Sequence, residues 1–263
     1  MKKAGIVILL ILVIAIVGVV CVLGSLGFIP ALAGVFGANK SKNLGVIFSD
    51  TDLTSARAKS KIIYGMLPDS TPIEQSIQRV GQQKANFSLS SAETTALLNN
   101  RPWKYWPVKN VQLKINEDGS AELSCVVVKE KLRGFAIACG IPAKSVDMGL
   151  KFIPNDPAVY VKATTALSEN RVSQFDIQAV SLGKFSLPVD KLLAFTLPKV
   201  IDPVYASSSV SDLYNYKGKK DIIINFINER LSKIPGFFAK CANFRGGKLN
   251  FDGTLSEKEL TIR

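Results

Sequence analysis

Asp50 and Asp52, one residue apart in Asp50-Thr51-Asp52, form the kind of clustered carboxylate pair that a hard divalent cation uses. Their place at the start of a predicted helix offers a plainer use, since carboxylates in a first turn cap free N–H groups and complement the helix dipole. Asp118-Gly119 and Asp252-Gly253 read as turn or strand-end chemistry. Gly183-Lys184-Phe185-Ser186 lacks the upstream glycine and the spacing of a nucleotide loop and reads as a turn after a strand, as does Gly246-Gly247-Lys248. No local motif pairs the glutamates for glycoside hydrolysis. Histidine is absent from all 263 residues, which removes Ser-His-Asp and Cys-His catalysis, a histidine base and any zinc site with a histidine ligand. The expectation is a protein that is not an enzyme, with no catalytic residue, no metal and no cofactor.

What remains is binding chemistry. Arg101-Pro102-Trp103-Lys104-Tyr105-Trp106-Pro107 gathers both tryptophans of the chain and a tyrosine between cations and prolines. Indole and phenol rings favour the headgroup level of a membrane while Arg and Lys meet phosphate; the same rings could stack on sugars or pack at the entry to a strand. A second candidate is the apolar face Ile223, Phe226, Ile227 and Leu231 of a predicted helix over 220–234, which serves either as core or as the wall of an elongated apolar cavity.

An unbroken apolar run from Ala4 to Leu23 follows Lys2 and Lys3 and is just long enough to span a hydrocarbon core. The preceding lysines predict a cytoplasmic N-terminus and an extracytoplasmic remainder, hence a single-pass protein of the cell membrane. Three fates stay open: a retained signal anchor, cleavage after Ala33 in the small-x-small sequence Ala31-Leu32-Ala33, and acylation at Cys21, which the bulky Val20 disfavours. Residues 1–38 hold two of the 33 basic residues and none of the 21 acidic ones, so the rest carries about +10. In that compartment a basic face meets anionic lipid headgroups or wall polymers rather than nucleic acid. Three cysteines lie beyond the run, and a hairpin would bring Cys125 and Cys139 together as a disulfide; three buried thiols are the alternative.

The elements positioning these residues follow from periodicity. The sequence predicts a signal anchor over 1–38, a linker over 39–48 and an extracytoplasmic α+β unit over 49–263. Ser49 or Thr51 caps a helix carrying Leu53, Ala56, Ile63 and Leu67; Thr71-Pro72-Ile73-Glu74 opens a second and Ser90-Ser91-Ala92-Glu93 a third. From Val108 the period becomes two, with Val111, Leu113 and Ile115 turning through Asn116–Gly119 into Ala121, Leu123, Cys125 and Val127. Strands follow over 134–138, 159–167 and 172–182, the last with a register change that suits a bulge, and 249–255 closes the chain as a strand. The fold class is α+β: an N-terminal transmembrane helix followed by a curved antiparallel sheet packed on helices.

Phe87-Ser88-Leu89-Ser90-Ser91-Ala92-Glu93 with Leu97-Leu98-Asn99, then 108–116 with Asp118-Gly119, resembles the YpmS-like membrane-anchored proteins of Gram-positive envelopes. The stretches 170–188 and 228–255, with Pro235-Gly236 and Gly247–Leu255, are similar to small exported lipid-binding domains of the tubular type. The resemblance covers 85–255, transfers no catalytic residue and implies an anchored envelope protein that handles lipid. Two functional expectations stand: binding of a lipid or another long apolar ligand, or a structural module recognising an envelope protein or an anionic wall polymer.

Overall fold

The computed structural model describes residues 17–188 and 219–263. The first part of the apolar run, 4–16, lies outside them. Its described end forms helix α1 (Val17–Ser25), and helix α2 (Pro30–Phe36) follows at 75°. Among the described residues no single helix is long and apolar enough to cross a membrane; α1 and α2 meet the length and composition only as this bent pair. Pro30 starts the second helix, where its missing N–H costs nothing, and Gly37 ends it at φ 67°.

The remainder is α+β, with a curled antiparallel sheet half closed into a barrel. Helix α3 (Asp50–Ser60) begins with a capping box, in which the Ser49 hydroxyl accepts the Asp52 N–H and the Asp52 carboxylate accepts the Ser49 N–H at 2.8 Å. Capping is thus the use to which Asp50-Thr51-Asp52 is put. The helix stops at Lys61, φ 56°, well before the expected end around Gly65 to Pro68, and the chain continues as strand β1 (Ile63–Met66). The Thr71–Glu74 signal likewise yields a single 3-10 turn (Ile73–Gln75) and then strand β2 (Ile77–Val80), rather than a helix. One distant element explains both corrections. Strand β11 (Lys258–Thr261) lies between them, parallel to β1 and antiparallel to β2, so a partner from the far end of the chain outbids local helical signals.

The large sheet runs β3 (Gln83–Ser90), β10 (Lys248–Leu255), β9 (Phe238–Arg245), β6 (Ala158–Ser168), β5 (Ser120–Val127), β4 (Val108–Ile115). Strand β7 (Arg171–Leu182) takes the other edge of β6, followed by β8 (Phe185–Leu187). Strand β6 pairs through 158–164 with β5 and through 166–168 with β9, so the β4–β5 hairpin and the β9–β10 hairpin with its neighbour β3 fork from one edge and curl toward each other. The interior so formed holds Leu113, Ile115 and Ala121 packed with Leu98, Phe244 and Leu249. A second cluster joins Ala85, Ala239 and Phe251 to Phe87, Leu167 and Phe237.

Helix α4 (Ser91–Asn99) fills the curl, capped by Ser90 and Glu93 as the sequence predicts. Ser91, Thr95 and Asn99 accept the N–H groups of Ile115, Leu113 and Val111 at 2.9 Å each. Four helical residues advance about 6 Å and two strand residues about 6.6 Å, so three side chains spaced by four cover three outward N–H groups of the edge strand β4.

The expected strand over 134–138 is instead part of helix α5 (Lys129–Ala138), followed by α6 (Ala143–Gly149). This removes the hairpin on which a Cys125–Cys139 disulfide depended. Both thiols are free: Cys125 is buried in β5, and Cys139 sits exposed just past α5. Helix α7 (Lys219–Ser232) lies against β7, where the Asn228 side chain accepts the Val172 N–H at 2.8 Å.

Candidate functional site

The segment 101–107 is a packing hub. Trp103 is 5 % exposed, its indole N–H donates to the Ser76 hydroxyl at 3.3 Å, and its ring lies 5.5 Å from that of Phe135. Trp106 donates to the Leu98 carbonyl at 2.7 Å and meets Phe135 edge-on at 6.2 Å. The Tyr105 ring lies so close over Gly134 that any β-carbon there would run into it, which is the reason a glycine sits inside α5. Arg101 stacks 5.1 Å over Trp106 and pairs at 2.5 Å with Glu259, which is 3 % exposed and also takes Arg79 at 3.3 Å. Of the five residues singled out in this loop only Lys104 is exposed, its N–H bonded to the Ile262 carbonyl. The loop ties α5 to the three-stranded sheet.

The apolar face of α7 has a different setting. Strands β6 and β7 place five cross-strand pairs on the face that continues the interior: Val159–Leu182, Val161–Val180, Ala163–Ile177, Thr165–Phe175 and Leu167–Val172. Nine of the ten residues are apolar, and all ten are only half-buried. Two register shifts, between Lys162 and Ala163 and between Ala166 and Leu167, keep the row continuous. Each inserts one extra residue into β7, and without them a slip of one would turn the apolar side chains to the opposite face. Ile223, Phe226, Ile227 and Leu231 of α7 are also half-buried. Arg230 holds the helix at its other end, donating to the Cys139 carbonyl at 2.8 Å while lying 5.1 Å over the Phe226 ring.

The structure therefore separates the two candidate groups. The aromatic loop is absorbed into packing, whereas the α7 face and the β6–β7 row remain partly open. The row itself was readable as alternation in β6; its continuity through β7 depends on the bulges, of which the sequence showed only a register change.

Several carboxylates are engaged in hydrogen bonds and ion pairs. Glu93 accepts the Lys59 ammonium and the Ser55 hydroxyl, each at 2.5 Å. Burial pushes its pKa up, but these bonds and the Ser90 N–H outweigh burial and hold it below the usual carboxylate value. Glu122 accepts the Tyr160 hydroxyl at 2.7 Å, and Glu229 pairs with Lys233. Among the described residues no group of three or more Cys, Asp or Glu side chains is placed to hold a metal ion. Comparison of the chain with protein-family models, with curated proteins and with solved structures finds no match.

Proposed function

We propose that this chain is a non-enzymatic protein of the cell envelope, held in the membrane by its N-terminal apolar segment, that carries a lipid or another long apolar ligand on the β6–β7 row beneath α7. The observation that carries this reading is the row itself: ten residues in register, nine of them apolar, none buried. A face of this kind marks a ligand groove or an interaction surface. Each methylene laid on it contributes about 0.8 kcal/mol, so a chain of about ten offsets the cost of association. Ile223, Phe226, Ile227 and Leu231 form the opposing wall. Arg101, Trp103, Tyr105 and Trp106 serve as packing between α5 and the three-stranded sheet, and Lys104 alone keeps the exposure that headgroup contact requires.

Anchoring is supported by the uninterrupted apolar run in the sequence and by the exposure of Val17, Val19, Val22, Phe28 and Val35. The resemblance to YpmS-like envelope proteins points the same way. The test is photo-crosslinking of the full chain in vesicles of phosphatidylglycerol and phosphatidylethanolamine that contain a lipid bearing a diazirine at its acyl terminus. Labelled peptides from 172–182 and 223–231 are expected in addition to those from the N-terminal segment. Labelling confined to 1–36 would overturn the apolar-ligand reading and favour an envelope interaction module.

A further inference from the structure

Lys40, Lys42 and Lys184 converge on a pocket of about 260 Å³ on the opposite face of the sheet, where the N-terminal helices join it. Segments remote in sequence are fastened around it. The Lys42 N–H donates to the Ser124 hydroxyl at 2.7 Å, the Leu44 N–H to the Gln112 side chain at 2.7 Å, and the Ala158 N–H to the Ala38 carbonyl at 2.8 Å. From the other side, the Gly183 N–H donates to the Ala158 carbonyl at 2.7 Å and the Lys184 N–H to the Ser25 carbonyl at 3.4 Å. Gly183 has φ 59°, and its α-carbon approaches the Ser25 carbonyl too closely for any β-carbon, so the β7–β8 turn is pressed against the end of α1.

Among the described residues the lining has one sign of charge: no carboxylate contributes to it, and none of the three lysines is paired with an acid, unlike Lys59, Lys109, Lys233 and Lys240. The Lys42 ammonium is held 4.1 Å over the Tyr160 ring, and the Tyr160 hydroxyl is spent on Glu122. Ser124 is 1 % exposed; its oxygen accepts the Lys42 N–H, which leaves its O–H hydrogen to donate. Ser181 and Ser186, opposite each other across β7 and β8, add two more hydroxyls. Three lysines without an acidic partner lining one small pocket give it a positive sign, and hydroxyl donors beside them suit a tetrahedral oxyanion. The volume falls below that of ordinary small-molecule sites, which fits a single charged group.

We infer that this pocket binds a phosphate group, and that the phosphodiester of an anionic lipid is its source, because the turn bearing Lys184 abuts the apolar helix α1. The site uses the face opposite the apolar row and stands without the ligand proposed there.

The test uses the delipidated full chain in uncharged maltoside micelles, titrated calorimetrically with inorganic phosphate at low ionic strength. Saturable binding is expected, weakened at least about tenfold in K42S/K184S and unchanged in K248S, a lysine outside the pocket. The unfolding midpoint of each variant reports that its fold is intact, and K184R, which keeps the charge, should retain most of the affinity. Absence of saturable binding, or equal binding by K42S/K184S, would overturn the site. Repeating the titration in phosphatidylglycerol nanodiscs separates the sources: a loss of phosphate affinity of about tenfold or more identifies the lipid phosphodiester as occupant. Unchanged affinity there keeps the site but overturns the lipid as its source, leaving free phosphate.

Discussion

Asn99 and Val111 are joined by a reciprocal pair of hydrogen bonds: the Asn99 amide donates to the Val111 carbonyl at 2.8 Å, and its oxygen accepts the Val111 N–H at 2.9 Å. One side chain thereby completes both backbone groups of a residue that is 2 % exposed on an edge strand. Asn99→Ala leaves that donor and acceptor buried without partners and should cost about 2 to 3 kcal/mol, read as a fall in the denaturation midpoint. Asn99→Asp keeps only the acceptor and should lie between the two. Equal stability of all three proteins would show that water replaces the bonds.

Glu93 couples α3 to α4 through Lys59 and Ser55, and its pKa is held below the ordinary value. A carboxylate with a depressed folded-state pKa stabilises the fold above its unfolded pKa, and that contribution disappears as pH falls through the folded value. Glu93→Gln should therefore destabilise the protein at neutral pH by about 1 to 2 kcal/mol, discounted for the partial exposure of Lys59. The gap between variant and wild type should close below about pH 4. Urea denaturation across that pH range measures it, and a gap independent of pH would contradict the assignment.

Burial pushes the Cys125 thiol up to about 11. At pH 8 the thiolate fraction is negligible and access is closed, so iodoacetamide should leave Cys125 unmodified in the native protein and label Cys139 and Cys241. Denaturation without reductant should expose Cys125 to labelling as well, each alkylation being located by peptide mass. Failure of both Cys125 and Cys139 to label in the denatured, unreduced chain would restore the disulfide.

Val180 lies in the second of the five pairs of the apolar row, and Gln178 is the inserted, exposed residue of the adjacent bulge. Val180→Lys puts a charge on the proposed ligand face and should abolish acyl cross-linking to 172–182 while costing about 1 to 2 kcal/mol of stability. Gln178→Lys should change neither. Cross-linking that survives Val180→Lys would place the ligand elsewhere.

Signals that act over a few residues were fully legible. The period of two from Val108 to Val127 and the Asn116–Gly119 turn gave a hairpin, and Ser90 with Glu93 gave a helix start, since each depends on contacts within one turn or one strand pair. The capping signature at Thr71–Glu74 misled for the same reason. A local signal states which helix would begin there, not whether β11 offers better pairing. In the aromatic loop, residue types predicted affinity for an interface, but whether that interface is a membrane or the protein's own interior is decided by what lies opposite, here Phe135, Ser76 and Glu259.

Composition and order along the chain alone exclude histidine chemistry, mark the apolar N-terminal run and set the alternation of the main strands. The tertiary structure decided which apolar rows are closed and which stay open, through the fork at β6 and the two bulges of β7. It also brought Lys40, Lys42 and Lys184 into one pocket. The reason is physical: hydrogen-bonding propensity and hydrophobic period are carried by neighbouring residues, whereas burial and electrostatic repulsion depend on distances between segments that the chain connects only after folding.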